Sequence, residues 1–188
     1  KHIIWQQYRL LNIAAETVES DIVAWIDADI LFDDPDWVDK AEAALNEFEI
    51  IQLFDEAKWF NKDLTNFTMT RRSAAYAFQT YANPFFQTAW PGFAWACRTK
   101  TIKRLKIYDC WITGSSDLAM VLESSGCFEK LNAVLSMNQD MQSHFLEWAN
   151  PFYEAIRGSF GYINTTIFHL WHGNLKNRHY RDRWAALD

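Results

Sequence analysis

Two aspartates one residue apart, Asp27 and Asp29, follow an almost continuous apolar run from Ile22 to Ile26. Such a run is typical of a strand that is covered on both faces, as in a parallel sheet. Two carboxylates this close repel each other unless a cation or hydrogen-bond donors lie between them. Mg²⁺ and Mn²⁺ prefer oxygen ligands, and open α/β sheets bind ligands beyond the carboxyl ends of their strands. The pair therefore predicts a divalent-metal site.

The same pair of aspartates could have three further roles, and the neighbouring residues argue against two of them. Asp27 and Asp29 can simply cap a strand-to-helix turn, as aspartates often do. Phosphatases of the haloacid-dehalogenase type resemble this pattern, but they have Thr or Val where this chain has Leu31. An EF-hand requires an acid at loop position five and a glycine at position six. This chain has Leu31 and Phe32 at those positions, so the EF-hand is excluded.

Further candidate side chains lie in the second half of the chain. Asp117 follows the flexible loop 114–116 and starts a predicted helix, which suits either a general base or a helix cap. His169 and His172 are three residues apart. An extended segment would point them to opposite faces, whereas a turn would bring both to one ligand. We favour His172, because the adjacent Gly173 permits close backbone approach.

Net charge and its distribution limit the partners. The last dozen residues contain the only strongly basic cluster, with Arg178, Arg181 and Arg183. Arginine side chains bind phosphate oxygens well, although a solvated tail would have the same pattern. The net charge is −6 and no broad basic face is visible, so the sequence does not predict nucleic-acid binding.

Taken in order, these segments resemble the GT-A glycosyltransferases, and in particular their family-2-type members. The triplet 27–29 resembles their Asp-X-Asp motif, and the helix predicted before it resembles the one that precedes their motif strand. Segment 91–96 (Pro-Gly-Phe-Ala-Trp-Ala) resembles their acceptor-side glycine-aromatic segment, and 113–117 their catalytic loop. Segment 169–173 (His-Leu-Trp-His-Gly) resembles their C-terminal metal segment, so the resemblance touches most of the chain.

The resemblance implies a metal-dependent, inverting transfer of a sugar. The donor would be a nucleoside diphosphate sugar, such as a UDP-sugar, and the acceptor a saccharide or another hydroxyl compound. Asp29 and His172 would bind Mn²⁺ or Mg²⁺, with Asp27 at the metal or at the donor ribose. Asp117 would be the general base. The remaining expected contacts are Arg178, Arg181 and Arg183 to the diphosphate, and Gly92, Trp95 and Trp111 in the acceptor site.

Length and composition predict one domain over residues 1–188, and the apolar run that ends in the paired acids favours the α/β class. Residues 1–60 would form the metal and donor side, and 61–188 the acceptor side and the C-terminal metal and diphosphate segment. The resemblance implies a GT-A, Rossmann-like fold with a mixed, mainly parallel sheet flanked by helices.

A complete GT-A domain has one or two more β-α units before the motif strand, whereas one predicted helix precedes it here. We therefore expect a missing N-terminal segment or a partner domain. A non-catalytic saccharide-binding or scaffold module derived from a transferase is the main alternative function. A metal-dependent phosphohydrolase that uses the same acids is the third.

Hydrophobic periodicity predicts helices at 1–17, 36–48, 71–82, 99–105, 117–125 and 139–148. It predicts strands at 22–26, 49–54, 93–98 and 163–170, and a loop or an edge at 55–66. No stretch is long and apolar enough for a transmembrane helix. Three cysteines without Cys-X-X-Cys spacing predict neither a disulfide framework nor a zinc site. They favour a cytoplasmic location, with a Golgi-type lumen as the alternative if the chain is truncated.

Overall fold

The computed structural model describes residues 6–111, 114–130 and 137–173. The α-helices in these ranges are α1 (Gln7–Thr17), α2 (Trp37–Ala44), α3 (Ala74–Tyr81), α4 (Thr99–Leu105), α5 (Ser116–Ser125) and α6 (Gln139–Ile156). The strands are β1 (Ile22–Ile26), β2 (Ile30–Phe32), β3 (Ile50–Gln52), β4 (Glu56–Phe60), β5 (Phe67–Arg72), β6 (Ala94–Arg98), β7 (Phe160–Tyr162) and β8 (Thr166–His169). Two short 3₁₀ helices are Phe86–Thr88 and Phe128–Lys130.

The described strands form two mixed sheets of four strands each, flanked by helices. The first sheet has the order β1-β6-β3-β7, in which β6 is antiparallel to both neighbours and β3 is parallel to β7. The second has the order β2-β8-β4-β5, in which only the β4–β8 pair is parallel. The α/β class is confirmed. The prediction of a single, mainly parallel sheet is wrong, because four of the six strand pairs in the described residues are antiparallel.

Strand β1 lies at an edge of the first sheet, and it is not covered on both faces as its apolar run predicted. Ala24 and Ile26 are exposed, and Trp25 is half-buried. In the described part of the chain, β6 is the one strand that pairs with β1. A continuous apolar run therefore marks a strand here, but the neighbours of the strand decide how much of it is buried.

The first sheet separates two layers of the core. On β6, Trp95 and Cys97 pack with the helices, whereas Ala94 and Ala96 belong to the cluster shared with the second sheet. Successive strand residues point to opposite faces, which explains this alternation. A third cluster lies between α5 and α6 and includes Phe145.

The predicted helices are all found in the described ranges, with shifted ends. Helix α6 extends beyond the predicted end at residue 148 to Ile156. Its buried stripe, which includes Phe145, Ala149 and Phe152, continues past the predicted end. Segment 55–66 contains strand β4, and the strands β2, β5 and β7 were not predicted. No helix in the described ranges is both long and apolar enough to cross a membrane.

Candidate metal site and adjoining cleft

The turn Asp27–Asp29 joins the two sheets. Strand β1 ends at Ile26, opposite Ala94 of β6, and the backbone N–H of Asp27 donates to the carbonyl of Phe93 at 2.8 Å. Strand β2 then starts in the second sheet. Both acids therefore lie where one sheet ends and the other begins.

The pairing of β2 with β8 brings two histidines to this turn. His169 is opposite Ile30, and the backbone N–H of Leu170 donates to the carbonyl of Asp29 at 2.9 Å. The Nε2 atom of His172 lies 2.9 Å from Oδ2 of Asp29, and that of His169 lies 3.6 Å from the same oxygen. The extended strand β8 ends at His169, and the chain after it brings His172 to the same carboxylate as His169.

The separations between these atoms fit three ligands of one metal ion. The two Nε2 atoms are 3.1 Å apart, and the ligand atoms of Asp29, His169 and His172 all lie within 4.8 Å of one another. Neighbouring ligands of an octahedral ion are about 3.0 Å apart when each lies about 2.1 Å from the metal. The three side chains therefore match one face of a coordination sphere, although an Asp–His ion pair would account for the same contacts if a histidine were protonated.

Aromatic side chains fix the inner histidine. His169 is buried, with the rings of Phe93 and Trp59 at centroid distances of 4.9 and 5.8 Å. The side chain of His172 is 42% exposed. One candidate ligand is thus packed in the core, and the other faces solvent, from which an ion would enter.

A cleft of about 860 Å³ adjoins this candidate metal site. This volume lies within the usual range for small-molecule sites. The ionisable side chains in its lining are Asp27, Asp29, Asp117, His169 and His172. Gly92 also lines this cleft, together with the aromatic residues Trp59, Trp90 and Phe93.

Asp117 is the second residue of α5 and lies in the cleft between two specific neighbours. The hydroxyl of Tyr8 donates to Oδ1 of Asp117 at 2.6 Å. A Cβ atom placed on Gly92 would lie 3.0 Å from Oδ2 of Asp117. Because Gly92 has no side chain, the carboxylate of Asp117 can lie directly against its backbone.

Burial raises the pKa of the Tyr8 hydroxyl well above its ordinary value of 10.0, and the carboxylates of Asp117 and Asp27 raise it further. Tyr8 consequently remains a protonated donor at neutral pH. Asp27 is near enough to contribute to this effect, and it lines the cleft without belonging to the three-residue metal group.

Two of the residues expected in the acceptor site lie in the core instead. Trp95 has no exposed surface, stacks on Phe160, and donates from Nε1 to the carbonyl of Pro91 at 3.0 Å. Trp111 is 4% exposed and stacks on Phe145. The prediction that they form walls of the acceptor site is corrected, since large aromatic rings are more often core residues.

Sequence reasoning missed Trp90, whose position directly before Pro91 and Gly92 was the available signal. It also missed Gln52, a fully buried amide that positions this segment. The Nε2 atom of Gln52 donates to the carbonyls of Trp90 and Pro91 at 3.1 and 3.0 Å, and Oε1 accepts from the backbone N–H of Ala75 at 2.8 Å. The expected diphosphate contacts Arg178, Arg181 and Arg183 lie outside the described residues.

No protein-family model matches this chain, and no curated protein or solved structure matches it significantly. The interpretation of the site therefore depends on its own geometry. That geometry places three converging metal-ligand side chains in the same cleft as a carboxylate with a fixed hydrogen-bond donor.

Proposed function

We propose that this chain is a metal-dependent glycosyltransferase domain of the GT-A type. It transfers a sugar from a nucleoside diphosphate sugar, such as a UDP-sugar, to a saccharide hydroxyl with inversion. The observation that carries this proposal is the convergence of Asp29, His169 and His172 in the cleft that also contains Asp117. An α/β architecture with the paired acids directly after β1 supports the GT-A assignment.

The roles follow from the charges that change during the reaction. The acceptor oxygen attacks the anomeric carbon and forms the new C–O bond, while the bond from that carbon to the diphosphate oxygen breaks. The acceptor proton moves to the carboxylate of Asp117, and the departing electron pair stays on the diphosphate. Asp29, His169 and His172 would hold a divalent ion, and that ion would supply Lewis-acid stabilisation of the diphosphate charge. Asp27, which lines the same cleft, would contact the donor.

The ligand set favours Mn²⁺ over Mg²⁺ as the resident ion. Mg²⁺ is usually bound by oxygen ligands and keeps several waters, whereas first-row transition-metal ions such as Mn²⁺ also bind imidazole nitrogen. Two of the three side chains that converge here are imidazoles. We therefore expect Mn²⁺ to bind more tightly than Mg²⁺.

Calorimetric titration with Mn²⁺ tests the metal site. Asp29→Ala and His172→Ala should each lower the affinity for Mn²⁺ by at least about tenfold, since ligand loss costs at least as much as loss of a supporting contact. His144→Ala is the matched control, because His144 is hydrogen-bonded to Tyr108 and lines a different pocket. Saturating Mn²⁺ at 100 times its Kd should also raise the unfolding free energy by about 2.7 kcal/mol. Unchanged affinity in both site variants would reject this metal site.

Release of nucleoside diphosphate from UDP-, GDP- and dTDP-sugars tests the reaction class. With Mn²⁺ and a set of saccharide acceptors, we expect transfer from one donor type and none after Asp117→Asn. Hydrolysis of p-nitrophenyl phosphate without transfer would favour the phosphohydrolase alternative. Binding of saccharides without turnover would favour the non-catalytic module.

A further inference from the structure

We propose that Tyr8 is the residue that positions Asp117 as the base, an inference that rests on the proposed function. The hydroxyl of Tyr8 donates to Oδ1 of Asp117 at 2.6 Å, between residues 109 positions apart in the chain. A hydrogen bond to an ionised acceptor is short and is about twice as strong as a neutral one. Helix α1 therefore supplies a functional contact to the cleft.

Tyr8 is held in place by the packing of its own helix. Its ring lies against the core cluster of the first sheet and the helices. One turn further along, Asn12 makes two hydrogen bonds of 2.8 Å to the backbone of Ile107. Near the end of the helix, Lys103 donates to the carbonyl of Val18 at 2.7 Å. The phenol hydroxyl is thus positioned before any ligand binds.

The two oxygens of Asp117 have different surroundings. Oδ1 accepts from Tyr8, whereas Oδ2 lies against Gly92, which lines the cleft. With Oδ1 fixed, rotation of the carboxylate is restricted, and Oδ2 is the oxygen that takes the acceptor proton. Tyr8 touches neither the reacting proton nor the donor in this scheme, so it acts through Asp117.

The hydrogen bond also controls protonation. It favours the ionised form of Asp117, so its loss should move the titration of that carboxyl to higher pH. The other ionisable groups in the same cleft are Asp27, Asp29, His169 and His172. They are unchanged by substitution of Tyr8, so a comparison of variants isolates the effect of one hydroxyl.

A carboxyl ¹³C NMR titration of the metal-free protein tests this role without any substrate. In Tyr8→Phe, the titration midpoint of Asp117 should rise by about one pH unit, with the signal assigned by its absence in Asp117→Asn. Tyr108→Phe is the matched control, because it removes a hydroxyl that is hydrogen-bonded to His144 at 2.8 Å outside the cleft. An Asp117 midpoint that is the same in the wild type, Tyr8→Phe and Tyr108→Phe would overturn the proposal.

Kinetics separate positioning from a merely structural role. With Mn²⁺ and an accepted UDP-sugar, Tyr8→Phe should lower kcat about 10- to 100-fold and leave KM for the donor unchanged. The rate of the variant should also fall at a higher pH than that of the wild type as the solution is acidified. Equal losses in Tyr8→Phe and Tyr108→Phe would contradict the positioning role. If no sugar is transferred from any donor, the proposed function fails, whereas the NMR midpoint still decides whether Tyr8 controls Asp117.

Discussion

Gly92 lies directly against the carboxylate of Asp117. A Cβ atom at position 92 would come within 3.0 Å of Oδ2 of Asp117 and 3.4 Å of Nε1 of Trp90. The backbone of Gly92 does not have a positive φ angle, so the need for glycine here is space and not backbone conformation. The glycine of the segment 91–96 therefore has a physical role, which is to admit the carboxylate to the cleft.

We expect Gly92→Ala to fold but to lower turnover by about tenfold or more. The added methyl group displaces the Asp117 carboxylate by a few tenths of an ångström, and small displacements of a reacting group are costly. Nucleoside diphosphate release, measured beside the melting temperature, checks this. In an Asp117→Asn background, Gly92→Ala should cause no further loss of rate, and an additive loss would show that the methyl group acts elsewhere.

Truncation of Trp95 should mainly lower stability, whereas truncation of Trp90 should mainly weaken substrate binding. Trp95 is fully buried, so Trp95→Ala should lower the unfolding free energy by about 3–5 kcal/mol. Trp90 is half-buried, lines the cleft, and meets Trp59 edge-to-face at 5.0 Å, so Trp90→Ala should mainly raise KM for a saccharide ligand. Urea unfolding and steady-state kinetics on both variants check this pair. A larger stability loss for Trp90→Ala than for Trp95→Ala would contradict the assignment of the two rings.

Local patterns predicted the local parts of the fold and site. Helical periodicity found all of the described helices, and the apolar run before Asp27 found β1. The candidate ligands Asp29 and His172 were also identified, because each is marked by its immediate sequence neighbours. These features depend on residues within a few positions of one another, and a sequence shows them directly.

The remaining parts of the site depend on pairings that the sequence does not show. His169 is a candidate ligand because the register of β2 and β8 places it opposite Ile30. Tyr8 meets Asp117 through packing of helices that are distant in the chain. Trp95 is a core residue because the odd-numbered side chains of β6 point to the face of the first sheet that packs against the helices. The sequence does not show which face this is.

Asn12 should be important for the stability of α1. Asn12→Ala removes two hydrogen bonds to the backbone of Ile107 and leaves those groups unpaired, which should cost about 1–3 kcal/mol. Urea unfolding measures the loss, and hydrogen exchange should be faster in α1. Asn46→Ala is the control: its Oδ1 accepts from Arg98 at an exposed position, so it should change stability by less than about 0.5 kcal/mol. Equal effects of both variants would reject a specific anchoring role.

The carboxyl group of Glu123 is a source of pH-dependent stability. Glu123 has no exposed surface, and neither of its oxygens has a hydrogen-bond partner within the described ranges. Burial raises the pKa of this carboxyl well above its ordinary value of 4.5. The folded protein therefore keeps this proton at pH values where the unfolded chain has released it.

The sign of the effect follows from proton binding. Above about pH 4.5, the unfolded chain binds fewer protons at Glu123 than the folded protein, so this group lowers stability as pH rises, by up to about 1.4 kcal/mol per pH unit. The decrease continues until the pH reaches the raised pKa. Glu123→Gln removes the ionisation and should be more stable than the wild type at pH 7–8, with the difference shrinking towards pH 4.5. Urea unfolding at several pH values measures it, with the exposed Glu147→Gln as the control that leaves the slope unchanged. A wild type that gains stability relative to Glu123→Gln as pH rises would mean that Glu123 is ionised and paired in the folded protein.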